Sequence, residues 1–532
     1  MAATSEFDVI VIGAGAAGLV AAATAAGDGA SVALLERDTK LGGTATVSIG
    51  EFWVPNNSHL RRLGIDDPEA DCIALMARLS YPDTYDPGSA TLGLTQLQHD
   101  LLRTYYLRSS EAVEHLAAVG ALQSRMSPAA YGDPLGHPEY HSDLPENRVP
   151  QGRHLIVDDG EPAFGLRGGA YVTQLSSYLA RVAVSIRTEH RVIEAIWSDG
   201  RVSGVIAQSP AGPVRIIARR GVIFATGGFG HDPAARATYL KGPVDAVAAV
   251  ETNTGDFLRI GLGLGAGVGN MTGAYLGNAS FELGRASSRL PALIHFPFGD
   301  SMIWVDRSGR RVVNEKGVFT DRAQVHFDWD AGERRHSKRV LIQVFDQVVF
   351  DAPGNRHPLP PPGVSADHVL VGQTWAELAD RVDVRLAELA GVTGGIRLAP
   401  DFASTLRDSV AQFDGYARRG VDPVFGRGST PIQTCYEPRL HPDVPNVTMA
   451  PFRSEGPYYA MLIGAAMFDT SGGPMVDSQG RVLDNSGDPI PGLFGAGCCV
   501  AAAGGQAYWS GGGPIGLALT FGYLAGRAAA AS

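Results

Sequence analysis

The sequence predicts an α/β protein: a Rossmann-type dinucleotide-binding domain interrupted by an α+β domain. Three observations lead there. Residues 7–12 form a short apolar, β-branched run, followed at once by Gly13-x-Gly15-x-x-Gly18, an Ala-rich helical stretch, and a second apolar strand over residues 31–35 closed by Glu36. Glycine-ended apolar strands return much later, at residues 219–229 with Thr226-Gly227-Gly228 and at residues 491–497. Between these returns, from about Tyr275, the character changes and Arg, Phe and Trp become frequent. The expected boundaries are 1–274 for the first part of the nucleotide domain, 275–440 for the inserted domain and 441–532 for the second part.

The opening stretch has a physical reason at each position. Gly13 permits a tight turn, Gly15 lets a pyrophosphate approach the backbone, and Gly18 lets the helix pack on the strand. The helix start, at Ala17, offers N–H groups and a positive dipole to phosphate. Glu36 stands at the strand end, where it accepts from a ribose hydroxyl.

Composition bounds the rest. A chain of 532 residues exceeds one ordinary core and calls for more than one domain. With 44 Lys+Arg against 55 Asp+Glu the net charge is −11, which argues against a nucleic-acid-binding face. No run of about 18 apolar residues predicts a membrane span. The first apolar run is a fold strand with no basic stretch or cleavage site around it. Cys72, Cys435, Cys498 and Cys499 show no metal-ligand spacing, and adjacent Cys498 and Cys499 are a poor disulfide pair, so a reduced, cytoplasmic protein with no metal is expected.

Taken in order, residues 42–50 (GGTATVSIG) make a small-residue loop that can run under a flat ring system; Gly43, Thr44, Ala45 and Gly50 are its candidate contacts. Residues 58–130 read mostly helical. A Pro-, Gly- and aromatic-rich loop over 129–151 carries Tyr131 and Tyr140. Helix, strand, Asp199-Gly200 turn and strand follow, placing backbone near an adenine at Val192. Ala225, Gly227 and Gly228 end a buried strand, and Asp256 opens a helix. Residues 304–315 read as two strands around a turn, and 377–391 and 402–419 as amphipathic helices. Gly497 and Cys498 end another strand. The loop from Tyr508 through Gly512 and Pro514 then feeds a C-terminal helix, Ile515 to Ala530, whose dipole points at negative charge on the cofactor.

These blocks resemble the flavoprotein family of fumarate reductases, succinate dehydrogenase flavoprotein subunits and 3-ketosteroid dehydrogenases. The markers are VIGAGAAG with Glu36, LGGTATVSIG, FATGGF, GDF, GRRVVNE, TSGGP, GLFGAG and YWSGGGPIGLALTFG, spread over nearly the whole chain. The resemblance implies FAD as the nucleotide, an FAD domain interrupted by a substrate-capping domain, and a flavin ring between the two. It also sorts the subfamilies. Residues 42–50 contain no histidine for covalent attachment, so non-covalent FAD is expected. The C-terminal loop lacks the arginine with which fumarate reductases hold a substrate carboxylate. It looks like the ketosteroid dehydrogenase pattern instead, a tyrosine four residues before a glycine, here Tyr508 and Gly512.

In that subfamily the tyrosine hydroxyl and the glycine N–H bind the ketone oxygen, in the manner of an oxyanion hole. The family's base is a tyrosine four residues after Asn-Glu; here Asn314-Glu315 leads to Phe319, which accepts no proton. Tyr140, in a similar Pro-x-Tyr-His context, is the candidate base or relay. The resemblance therefore implies α,β-dehydrogenation of a small hydrophobic cyclic ketone, steroid or smaller, with an external electron acceptor. Two alternatives stay open: reduction of an activated alkene by an external donor, and a flavin-binding scaffold that has lost catalysis.

Overall fold

The structure is a computed structural model that describes residues 5–128, 136–161, 165–286, 293–294, 297, 299–352, 358–361, 364–437 and 439–532. Tyr131 lies outside the described residues. The chain divides into two compact units, Met1–Leu240 with Ala249–Tyr275 and Asp469–Ser532, and Lys241–Ala248 with Leu276–Phe468.

The first unit is built on a largely parallel sheet. Strand β1 (Ser5–Ile12) pairs in parallel with β2 (Val32–Leu35) on one side and with the strand Gly212–Phe224 on the other. Short apolar strands buried on both faces suit such a sheet, because helices cover it. Helix α1 (Ala16–Gly27) connects β1 to β2 and is buried over most of its length. Its alanines allow another helix to come very close. The C-terminal helix Gly513–Ala531 crosses it so tightly that a Cβ on Gly522 would stand 2.5 Å from the Ala17 carbonyl oxygen. The two helices run in the same direction, Gly526 meeting Ala21 one turn on from Gly522 and Ala17. A second, three-stranded sheet in this unit holds β3 (Glu51–Trp53) against His154–Val157, which in turn pairs with Ser124–Met126. The hairpin turns on Asp199 and Gly200, both at positive φ, as an Asp-Gly turn requires.

The second unit holds a seven-stranded sheet in which Tyr458–Thr470 runs antiparallel to Val340–Asp346, with the helices Trp375–Glu388 and Phe402–Arg419 packed on it. The return to the first unit therefore comes at Asp469 and not at 441. The apolar run from Tyr458 reads as a strand in sequence, but its partner, more than a hundred residues back, does not. Residues 304–315 are not two strands either. Met302–Val305 is a strand, joined to Arg311 by a single bridge. Arg311 turns inward instead, to form a bidentate pair with Glu315 at 2.9 and 2.8 Å.

That pair yields a pH expectation. Burial alone would raise the Glu315 carboxyl, but the guanidiniums of Arg311 and Arg427 outweigh it and hold it down at about 2, against an ordinary 4.5. A depressed carboxyl stabilises the fold above its unfolded value and loses that contribution as the pH falls through the folded one. The melting temperature should therefore drop steeply between about pH 4.5 and about pH 2, with Glu315 contributing on the order of 3 kcal/mol. E315Q should be less stable at neutral pH and flatter across that window; an unchanged slope would assign the acid loss to other carboxylates.

Among the described residues no helix is long and apolar enough to cross a membrane. None of the four cysteines is in a disulfide.

Candidate active site

The nucleotide loop has the crowding and the openings that a bound pyrophosphate requires. A Cβ on Gly13 would stand 2.4 Å from the Ala225 carbonyl oxygen, and one on Gly18 would stand 1.8 Å from the Gly13 carbonyl oxygen. At Gly15, by contrast, the nearest atom would be Gly42 O at 4.0 Å, so the chain there faces open space. The N-terminus of α1 has no side-chain cap and no acid in its first turn. Its N–H groups, those of Ala17 and Gly18 among them, are thus left for an anion. These residues fit FAD.

Of the other predicted contacts, Gly43 and Gly497 neighbour this loop directly. A Cβ on Gly43 would stand 3.9 Å from Gly15 Cα, Thr44 accepts from Val250 N–H at 3.2 Å, and a Cβ on Gly497 would stand 3.1 Å from Ala17 Cβ. Ala45 is buried beside the closely packed Gly50. Val192 sits at a bulge in its strand, where Ile193 is the extra residue and the ladder is interrupted. Cys498 follows Gly497, and burial pushes its thiol up, so it stays neutral. Gly227 and Gly228 are held by protein: Gly227 packs on Asn253, and the Gly228 N–H donates to Asp469 at 2.9 Å.

Glu36 and Asp256 are also engaged. Glu36 accepts from the Ala14 and Asp38 N–H groups at 2.8 and 2.9 Å, which leaves each oxygen a second lone pair. Asp256 holds three guanidiniums: Arg191 at 2.7 and 3.1 Å, Arg37 at 3.2 Å, and Arg259. Arg37 is the neighbour of Glu36, and Arg191 the neighbour of Val192. The carboxylate therefore pins the two backbone segments that carry those residues.

Tyr508, Gly512 and Tyr140 come together at the N-terminus of the C-terminal helix. Gly512 caps that helix at φ 78°, and any Cβ there would meet the Glu51 carbonyl carbon at 2.4 Å. Its N–H lies within hydrogen-bonding reach of the Tyr508 hydroxyl oxygen. Burial pushes that hydroxyl up, which keeps it protonated and able to donate. The Tyr140 ring lies nearly parallel to that of Tyr508, 6.3 Å between centroids at 11°, and Tyr275 meets Tyr508 edge-on at 6.0 Å. Tyr140 is held from behind by its N–H, which donates to Ser510 Oγ at 3.2 Å. Pro514 and Ile515 form the first turn of the helix, and a Cβ on Gly513 would meet nothing within 4 Å. Phe319 lies in the second unit, buried beside Phe468 with ring centroids 5.5 Å apart. Tyr458 stacks on Trp375 in that unit at 3.7 Å.

Sequence reasoning missed a buried polar cluster beneath this loop. Cross-strand register puts Trp53 opposite His154, so Glu51 lies diagonal to His154. Glu51 bonds His137 Nδ1 at 3.1 Å, His154 Nδ1 lies 3.1 Å from the His137 carbonyl, and His154 Nε2 lies 2.7 Å from Ser510 Oγ. All three residues are buried. Burial would raise the Glu51 carboxyl, but the two imidazoles hold it at about 2; burial lowers His154. Their ligand atoms lie within 4.8 Å of one another, close enough in principle for a cation. The hydrogen bonds already engage those atoms, so the cluster reads as a hydrogen-bonded network. A charged residue inside an apolar strand, as in Gly50-Glu51-Phe52-Trp53, was the one signal available.

Comparison with known proteins shows the family. The family described as FAD binding domain matches residues 8–515. A 4-oxocyclohexanecarboxylate 2-dehydrogenase of Sinomonas cyclohexanicum is 30% identical, aligned over 98% of this chain and 92% of the relative. A 3-oxosteroid 1-dehydrogenase of Mycobacterium tuberculosis is 29% identical over 98% of this chain and 97% of the relative. Among solved structures, a 3-ketosteroid delta1-dehydrogenase from Sterolibacterium denitrificans in complex with 1,4-androstadiene-3,17-dione superposes with a TM-score of 0.82 at 24% identity, covering 99% of this chain and 100% of that one. At that identity the likeness speaks for the fold.

Proposed function

Because the chain belongs to the FAD-dependent flavoprotein family of the fumarate reductases and 3-ketosteroid dehydrogenases, we propose that it desaturates a cyclic ketone, steroid or smaller alicyclic, next to the carbonyl. The convergence of the Tyr508 hydroxyl and the Gly512 N–H, with Tyr140 stacked alongside, carries this reading.

Two donors this close can share one acceptor, the ketone oxygen. They bind the oxygen more strongly as it gains charge, so they lower the barrier to removing the α-proton. Tyr508 must be neutral to do so, and its burial ensures that. The N-terminus of Gly513–Ala531 adds positive potential on the same side. Tyr140 takes the α-proton; Phe319 offers no atom that can. Bound FAD would supply the two-electron acceptor for the hydride from the β-carbon. An external acceptor would then close the cycle.

The test is to mix the holoenzyme anaerobically with a panel of ketones, including a 3-ketosteroid and a substituted cyclohexanone, and follow the visible flavin band. Bleaching by one of them supports the reading and sorts ring size. Reoxidation of dye-reduced flavin by an enone, without ketone bleaching, would reverse the direction. The resemblance implies FAD held without a covalent bond, because residues 42–50 contain no histidine. Acid precipitation should therefore leave all the flavin in the supernatant; a yellow pellet would overturn this.

A further inference from the structure

We propose that Glu51 and His137 form a proton relay behind Tyr140: the His137 imidazole, held by the Glu51 carboxylate, takes the Tyr140 hydroxyl proton as that oxygen takes the α-proton of the ketone. The proposal rests on the reading of Tyr140 as the base.

Three side chains line the same small space. A Cβ on Gly511 would stand 2.5 Å from Glu51 Oε2, 3.1 Å from His137 Cε1 and 3.1 Å from Tyr140 Oη. The absence of a side chain at Gly511 is what allows them to share this space. The Glu51 contact fixes the tautomer: His137 Nδ1–H donates to the carboxylate at 3.1 Å, which leaves Nε2 as the basic nitrogen. The His137 and Tyr140 rings meet edge-on, 5.7 Å between centroids at 81°. His154 and Ser510 fix the backbone of this assembly through the His137 carbonyl and the Tyr140 N–H.

The surrounding charges leave the relay to work. Glu139 lies 4.0 Å from His154, but Arg153 stands 3.7 Å from it, and Arg153 is itself in a bidentate pair with Asp67. Tyr508 stays neutral. Glu51 is therefore the charge that an imidazolium at His137 would meet most directly.

The step balances without any transfer of electrons between molecules. The α-C–H bond breaks, and its electron pair forms the enolate held by Tyr508 and Gly512. The proton bonds to Tyr140 Oη, whose own proton moves to His137. The imidazolium is neutralised by Glu51 and later releases its proton to solvent.

The experiment measures ketone-driven flavin bleaching against pH in holoenzyme of the wild type, H137Q and E51Q. Glutamine at 137 keeps a donor toward Glu51 but cannot titrate. H137Q should keep its FAD and bind ketone within about threefold of wild type, yet bleach about 10²-fold more slowly and lose the rise of rate with pH. E51Q keeps the imidazole but not its counter-charge, so the inflection should move to lower pH. A wild-type profile in H137Q, or an unmoved inflection in E51Q, would overturn the relay. If no cyclic ketone bleaches the wild-type flavin, the functional reading fails, and the relay is decided by phenolate absorbance. The titration step that Y140F removes should lie at higher pH in H137Q than in wild type, and an identical pH would overturn the proposal. So would one equivalent of tightly bound transition metal that H137Q loses.

Discussion

Tyr508→Phe is expected to slow ketone-driven bleaching by roughly 10²–10³-fold while leaving the flavin bound, the effect of deleting one donor from an oxyanion hole. The substitution removes one oxygen and keeps the ring. The stack on Tyr140 and the edge contact with Tyr275 are both ring contacts, so the pocket wall survives. The loss should fall mainly on the rate of reduction and only weakly on ketone affinity, because a neutral ketone oxygen gains far less from the donor than an enolate does. Gly512 N–H remains as the single donor, which is why some activity should persist. Single-turnover bleaching of the wild type and Tyr508→Phe at several ketone concentrations separates the two constants. A reduction rate equal to wild type would remove Tyr508 from the chemistry and leave it as a packing residue.

The two halves of this site differ in how far the sequence reveals them, and the difference is one of range. Gly13, Gly15, Gly18 and Glu36 lie in one βαβ unit, where the turn, the helix start and the strand end are dictated by residues close in the chain. Tyr508 and Gly512 are four residues apart and open a helix, so their meeting is local too. Tyr140 meets them only in the folded chain, its ring beside that of Tyr508 and its N–H on Ser510, 370 residues away. Glu51, His137 and His154 come from two short strands and a loop, and no local periodicity marks any of them. Asp256 also has partners that its local sequence does not show. Its place at a helix start suggests a ligand contact, yet it is engaged by Arg37 and Arg191, 219 and 65 residues away. Long-range pairing likewise decides that Tyr458–Thr470 belongs to the second sheet, which moves the domain return to Asp469.

The glycines of the nucleotide loop are expected to fail in two distinct ways when a methyl group is added. Gly18→Ala puts a Cβ 1.8 Å from the Gly13 carbonyl oxygen, backbone against backbone. Helix α1 must then leave its strand, and the C-terminal helix that crosses α1 must follow. The apoprotein itself should melt at a lower temperature, and little FAD should be retained. Gly15→Ala is different. Gly15 has φ −77° and ψ −169°, which any residue adopts, and its nearest neighbour would be 4.0 Å away. The apoprotein should therefore melt as the wild-type apoprotein does. The methyl group, however, occupies the space into which the pyrophosphate must come to reach the uncapped N-terminus of α1. FAD affinity should fall on the order of 10²-fold, about 2.7 kcal/mol, and the stabilisation that FAD gives the holoenzyme should shrink with it. Titrating both apoproteins with FAD and melting each with and without the cofactor distinguishes a broken fold from a blocked site. If Gly15→Ala binds FAD like the wild type, the pyrophosphate does not cross at Gly15, and the opening there serves some other part of the nucleotide.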